Sequence, residues 1–129
     1  MSDIFIVEII SPDGSILKSE VSEVTIPSYE GQMGILKDHI SLITFLRPGV
    51  ISIQNQEKKK YFVEEGVVEF SNNNLLILTS TIIDLSKLNQ NSIKDMLSQV
   101  EKKLFDDNFS DKERYLLSYK IDTLKEISQ

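Results

Sequence analysis

Short runs of β-branched and aliphatic residues, broken every few positions by turn formers, fill the chain from Asp3 to about Leu85, and helix-length windows of 3.6-residue periodicity are missing there. Residues 4–10 are rich in Ile, Val and Phe and run into Ser11-Pro12-Asp13-Gly14. Pro fixes φ and Gly accepts a positive φ, so a hairpin turn is expected at that point. Ile16 and Leu17 restart a strand, and residues 21–26 alternate Val21, Glu23 and Thr25 with Ser22, Val24 and Ile26. Pro27 is expected to end that strand, since it cannot donate to a ladder. Residues 40–45 form another strand candidate, closed by the turn signal Arg47-Pro48-Gly49. Residues 50–53 and 61–63 read as hairpin partners around the polar stretch 54–60. Gly66 separates 61–65 from 67–70, Asn72-Asn73-Asn74 reverses the chain, and 75–79 completes the set. Strands at this even spacing predict a flattened sandwich or barrel.

After Leu88 the period changes. Ile93, Met96, Leu97, Val100 and Leu104 fall at offsets 0, 3, 4, 7 and 11, one stripe of an amphipathic helix, with Lys94, Asp95, Glu101 and Lys102 away from it. Asn89 or Asn91 can cap its start. Asp106-Asp107-Asn108-Phe109 interrupts the pattern, and Ser110 with Glu113 three residues on forms a capping box for a second helix. Leu117, Ile121 and Leu124 are its stripe, flanked by Leu116 and Ile127, and the short connection favours an antiparallel partner. The expected architecture is an all-β N-terminal flattened sandwich or barrel over residues 1–85, followed by a C-terminal antiparallel α-helical hairpin over 86–129.

Composition narrows the chemistry. The 129 residues carry 14 Lys+Arg against 20 Asp+Glu, a net charge of −6, with 40% hydrophobic residues and no Cys, which excludes disulfides and thiolate metal sites. An acidic balance without a basic stripe argues against a nucleic-acid partner. No apolar run reaches the length of a membrane span, and Met1-Ser2-Asp3 lacks the start of a signal peptide, so the chain is expected to stay in the compartment where it is made. His39 is the only histidine, which rules out a His-His metal site, and no Ser sits between glycines as in a nucleophile elbow. His39 reads first as a turn or interface residue. The pairs Glu64-Glu65 and Asp106-Asp107 read as solvated surface, and Lys58-Lys59-Lys60 as a solvated hairpin or guarded edge strand. Gly31, Gly34 and Gly49 do not lead into a helix, since Ile35 onward reads as strand, so a phosphate loop is rejected. No catalytic, cofactor-binding or metal-binding residue is assigned. By themselves these readings describe a two-lobe interaction protein rather than an enzyme.

The stretch Glu30-Gly31-Gln32-Met33-Gly34-Ile35-Leu36-Lys37-Asp38-His39, continuing through Leu42, Thr44 and Leu46 to Pro48-Gly49, resembles the signature segment of the epsilon subunit of bacterial rotary ATP synthases, homologous to the mitochondrial delta subunit. The likeness extends over essentially the whole chain. It departs at Ile40-Ser41, where the family commonly has Ala-Pro, and at Gln32, where a second acid is frequent. Some members bind ATP through an aliphatic-Asp pair followed after two residues by Arg-Ala. Here Ile83-Asp84 continues with Lys87-Leu88, and Leu88-Asn89 with Ser92-Ile93, so neither register supplies the Arg.

The resemblance implies a non-catalytic rotor part of the central stalk, with no cofactor. The sandwich would clamp the gamma subunit and rest on the polar loops of the membrane ring, coupling proton flow to ATP synthesis. The hairpin would pack on the sandwich or extend toward the catalytic head to inhibit ATP hydrolysis. By analogy Glu30, Gly31, Gln32 and Met33 face the ring, and His39 and Ser41 face gamma. Met33 has an alternative as core filler. The implied location is the cytoplasmic face of the bacterial inner membrane, as a peripheral part of the complex. The competing readings are an unrelated adaptor with a sandwich and hairpin, and a small hydrolase or sugar-binding sandwich, for which no cluster of carboxylates or aromatics is seen.

Overall fold

A computed structural model of the chain describes residues 3–105 and 108–128. Ten strands come first: β1 Phe5–Ser11, β2 Gly14–Val21, β3 Glu23–Ser28, β4 Gly31–Leu36, β5 Leu42–Leu46, β6 Gly49–Gln54, β7 Lys58–Val63, β8 Gly66–Ser71, β9 Asn74–Leu78 and β10 Ile82–Asp84. A 3-10 turn, Leu85–Lys87, leads into α1 Gln90–Leu104 and α2 Asp111–Ile127. Met1, Ser2, Asp106, Asp107 and Gln129 lie outside the described residues, and with them the start of the chain and the Asp106-Asp107 pair.

The strands form one curled sheet folded into two layers, β4-β3-β6-β7-β10 and β5-β8-β9-β1-β2, joined where Ser28 pairs with Leu46. Alternate residues turn inward between the layers: Val7, Ile9, Val24, Ile26, Val68 and Ile77 have no accessible surface. Each such side chain stabilises the fold by about 1.5–3 kcal/mol before ordering costs. The turns follow their residues. Gly14 takes φ 117° after Pro12-Asp13, and Asn72 and Asn73 take φ 50° and 59° in the two-residue turn between β8 and β9. Positive φ at both central positions matches the right-handed strand twist.

Several expectations need correction. Residues 21–26 are not one strand: the chain turns a corner at Ser22, whose amide and hydroxyl both donate to the Gln54 carbonyl at 2.9 and 3.0 Å. Val21 and Val24 are both buried as a result, because the corner shifts the alternation by one residue. Pro27 does not end a strand either. It lies inside β3, and its carbonyl accepts from the Arg47 amide at 3.0 Å, so its nitrogen faces the place where the chain passes from β5 to β6 and the ladder changes partner. No donor is needed there, and Gly49 packs so close that a Cβ on it would meet Pro27 Cβ at 2.5 Å. The strand read from Ile35 onward begins instead at Gly31 and ends at Leu36, β10 adds an unforeseen three-residue strand, and β1 pairs in parallel with β9. β10 pairs only with 61–63, leaving the lysines of 58–60 beside an open edge.

The helices form the expected antiparallel hairpin. Asn89 accepts from the Ser92 amide at 2.8 Å to cap α1, and Ser110 and Glu113 form a capping box on α2. Gln90 near the start of α1 donates to the Ser128 carbonyl at 3.1 Å, and Arg114 near the start of α2 donates to the Leu104 carbonyl at 3.0 Å. Ile93, Val100, Ile121 and Leu124 close around Phe62, which points outward from β7 and is the sheet's plug into the hairpin. Leu117 and Ile127 pack on this cluster, whereas Leu116 stays half-buried outside it.

Candidate functional site

The stretch singled out from the sequence lies in three places. The β3–β4 turn is Tyr29-Glu30; Ser28 Oγ donates to the Gly31 carbonyl at 2.7 Å and accepts from the Glu30 amide at 3.2 Å, and Gly31 takes φ 121°. Glu30 therefore projects from a hydroxyl-braced tip and is exposed. Gln32 is exposed on the outward face of β4, whereas Met33 turns inward and packs on the core. The residues 30–33 thus share a hairpin but not a face.

His39 and Ser41 sit in the β4–β5 connection, at the far end of β4 from the Glu30 tip. At the strand rise of about 3.3 Å per residue the two regions stand roughly 20 Å apart. The connection is fastened to the β8–β9 turn, because the Asp38 amide donates to Asn73 Oδ1 at 2.7 Å and Asn73 Nδ2 returns a bond to Asp38 Oδ1 at 3.0 Å. That double bond holds Asp38 at φ 66°. His39 Nδ1 donates to the Ile40 carbonyl at 2.8 Å, and the ring stands edge-on to Phe70 at 5.9 Å. Ser41 is exposed, and Ile40 beside it is 79% exposed.

Between these two ends lies a feature that the sequence reading missed. The outer face of the β5-β8-β9-β1-β2 layer is apolar and uncovered: Ile43 is 71% exposed, Phe45 56% and Leu78 43%. Cross-strand pairing joins them into a continuous carpet, Phe45 to Val67, Val67 to Leu78 and Leu78 to Ile10. A parallel row, Ile43, Glu69, Leu76, Glu8 and Lys18, adds two carboxylates and one amine. Contiguous exposed apolar surface of this kind marks an interaction site. The signal was present in β5, where Leu42-Ile43-Thr44-Phe45-Leu46 is apolar at four of five positions instead of alternating, so both faces must be apolar.

The opposite layer is covered by the hairpin. Arg47 stacks its guanidinium over Tyr119 at 4.0 Å, Lys120 forms an ion pair with Glu64, and Thr123 Oγ1 reaches the Pro48 carbonyl at 3.4 Å. Glu64 is therefore a link to α2 and not plain surface, while Glu65 accepts from Ser80 Oγ at 2.9 Å. Hydrogen bonds from Tyr119 and then Arg47 hold the Tyr115 hydroxyl below its usual range. A groove of about 930 Å³ remains between sheet and hairpin, bordered by Arg47, Lys60, Leu88, Asn89, Asp122 and Glu126. The acid and the amide of the two candidate nucleotide registers are already engaged: Asp84 accepts from Ser86 Oγ and N at 2.8 and 2.9 Å, and Asn89 caps α1. Among the described residues no group of three His, Asp or Glu side chains is placed to hold a metal, and no helix is long and apolar enough to cross a membrane.

Residues 4–84 match the family described as ATP synthase, Delta/Epsilon chain, beta-sandwich domain. The chain is 45% identical over 130 residues to the ATP synthase epsilon chain of Pelagibacter ubique, covering 99% of this chain and all of that one. It is 34% identical over 99 residues to the ATP synthase epsilon chain of Aquifex aeolicus, covering 76% and 75%. In fold it is similar to a chain of the Euglena gracilis mitochondrial ATP synthase, OSCP/F1/c-ring in rotational state 1, with a TM-score of 0.82 at 20% identity over 100% of this chain and 84% of that one. It is also similar to a chain of the Tetrahymena thermophila mitochondrial ATP synthase central stalk/c-ring, with a TM-score of 0.72 at 16% identity over 96% of each.

Proposed function

We propose a function for this chain from one premise: it belongs to the ATP synthase epsilon chain family. It serves as a non-catalytic rotor subunit of the central stalk, where the β-lobe of residues 1–85 binds the gamma subunit and rests on the membrane ring, so that proton flow and ATP synthesis are coupled. The observation that carries this reading is the open apolar face around Ile43, Phe45 and Leu78, which needs a partner, with His39 and Ser41 at one end of the layer and the Glu30 tip at the other. Gamma covers the apolar face and the His39–Ser41 connection. Glu30, Gly31 and Gln32 meet the polar loops of the ring, and Met33 holds the hairpin to the core behind them.

The hairpin of residues 86–129 is regulatory. When detached from the sheet it extends along gamma toward the catalytic head and restrains ATP hydrolysis. The working location is the cytoplasmic face of a bacterial inner membrane, peripheral and held through the complex. The absence of cysteine makes the geometry testable by single-site crosslinking in the assembled enzyme. Phe45→Cys should crosslink to gamma and Glu30→Cys to a ring subunit. Crosslinks exchanged between the two sites, or to neither partner in assembled enzyme, would refute the arrangement.

A further inference from the structure

Neither backbone conformation nor space requires a glycine at position 34. Gly14 and Gly31 take positive φ, and a Cβ on Gly49 or Gly66 would clash at 2.5 or 2.4 Å, but Gly34 has neither constraint, and an added Cβ would meet only Glu23 Oε1 at 3.9 Å. A strand-interior glycine weakens the strand, and often marks a place where another backbone approaches closely.

The edge that carries it is open. The Tyr29 amide and Pro27 carbonyl bond toward β5, so the alternate residues of β3 bond toward β4, through the pairs Ser28–Gly31, Ile26–Met33 and Val24–Ile35. Gln32 and Gly34 consequently aim both amide and carbonyl away from the sheet, and among the described residues no strand pairs with that side of β4. Most other edges are guarded: β2 carries Lys18 and Glu20 and a bulge opposite Ile9/Ile10, and β10 is three residues long beside three lysines, while β5 is joined to β3 only at its Phe45–Leu46 end. β4, Gly-Gln-Met-Gly-Ile-Leu, has neither charge nor proline.

We infer that β4 is a docking edge for an extended segment of a partner polypeptide, which adds as a further strand and places a Lys or Arg over Gly34 against the Glu23 carboxylate. Leu36, 55% exposed on the same face as Gly34, receives an apolar side chain two residues along. The net charge of −6, with the carboxylate of Glu23 reaching from β3 to beside Gly34, selects a basic partner over a second copy of this chain. This edge belongs to the layer opposite the open apolar face, so the inference is independent of where gamma binds; it rests on the ring reading only in that Gln32 meets the ring with its exposed side chain while its backbone carries the added strand.

The test is amide hydrogen exchange by NMR on the full chain, titrated with a ten-residue peptide of alternating Thr and Val carrying one central Lys, and with the same peptide carrying Glu. The Lys peptide should slow exchange at Gln32 and Gly34. Gly34→Pro should abolish the effect without disturbing the β3–β4 ladder, because the lost N–H faces outward. Glu23→Gln leaves the backbone intact and should weaken binding about fivefold, the worth of a partly exposed ion pair. Absence of protection at Gln32 and Gly34, equal binding of the Glu peptide, or protection confined to β2 or β7 would overturn the inference. So would protection that rises with protein concentration without peptide, which would make the occupant a second copy.

Discussion

At Gly66 a Cβ would stand 2.4 Å from the Leu78 carbonyl oxygen and 3.0 Å from Leu46 Cδ1, whereas at Gly34 it would meet nothing rigid. Gly66→Ala should therefore cost about 1–3 kcal/mol, the usual penalty for overpacking a fixed site. Gly34→Ala should leave stability within about 0.5 kcal/mol or raise it slightly. Urea unfolding of the two full-length variants checks this, and equal losses would mean that the fold itself requires Gly34. Asp84 gives a second residue-scale expectation. Hydrogen bonds from the Ser86 hydroxyl and then its amide lower the carboxyl below its ordinary 3.8. Since the folded value is depressed, the stabilisation is complete above the unfolded value and disappears as pH falls through the folded one. Asp84→Ala should cost about 1 kcal/mol at pH 7, as for other capping residues. The difference from the parent should vanish in strong acid; a gap that persists there would assign the loss to packing.

Among the elements, those that depend on local chemistry were legible. The Ser110/Glu113 capping box, the Asn72-Asn73 turn and the stripe Ile93-Met96-Leu97-Val100-Leu104 are written within a few residues of where they act. The parallel pairing of β1 with β9 brings Val7 beside Leu75, and no local pattern encodes that. The corner at Ser22 and the passage of β3 through Pro27 were missed for the same reason, since the Gln54 and Arg47 groups that satisfy them are distant in sequence. Met33 and Gln32 took opposite faces because β4 is a strand, which two glycines in six residues disguised. The hairpin's attachment rests on Phe62 and Leu124, both without accessible surface. Leu124→Ala should destabilise the packed hairpin by about 2–5 kcal/mol and speed amide exchange in α1 and α2 while β1 and β9 keep their protection. Uniform loss across strands and helices would show that hairpin and sandwich unfold as one unit. With Asp84 and Asn89 engaged as caps and no Arg following them, calorimetric titration with ATP should show no site tighter than about 1 mM. A saturable micromolar isotherm abolished by Asn89→Ala would reverse that expectation.

For the molecule as a whole, the two layers divide the work: one is covered by the hairpin, attached through Arg47, Glu64 and Phe62, the other is left apolar and open. In α2 Lys112, Arg114, Lys120 and Lys125 are matched by Asp111, Glu113, Asp122 and Glu126, and Lys120 is already paired with Glu64. Such a helix has no net attraction for an acidic surface, so the packed hairpin should dominate and truncation after Leu88 should raise the ATPase rate of the assembled enzyme only modestly. A large rise would show that the extended hairpin is the populated form. The division of the layers is tested most directly by calorimetric binding of the isolated full-length chain to gamma, comparing the parent with the double variant Ile43→Asp/Phe45→Asp. Both side chains are more than half exposed, so the variant should keep its thermal midpoint while its affinity for gamma falls by about 100-fold or more. Parental affinity in a folded double variant would contradict the assignment of the open face to gamma.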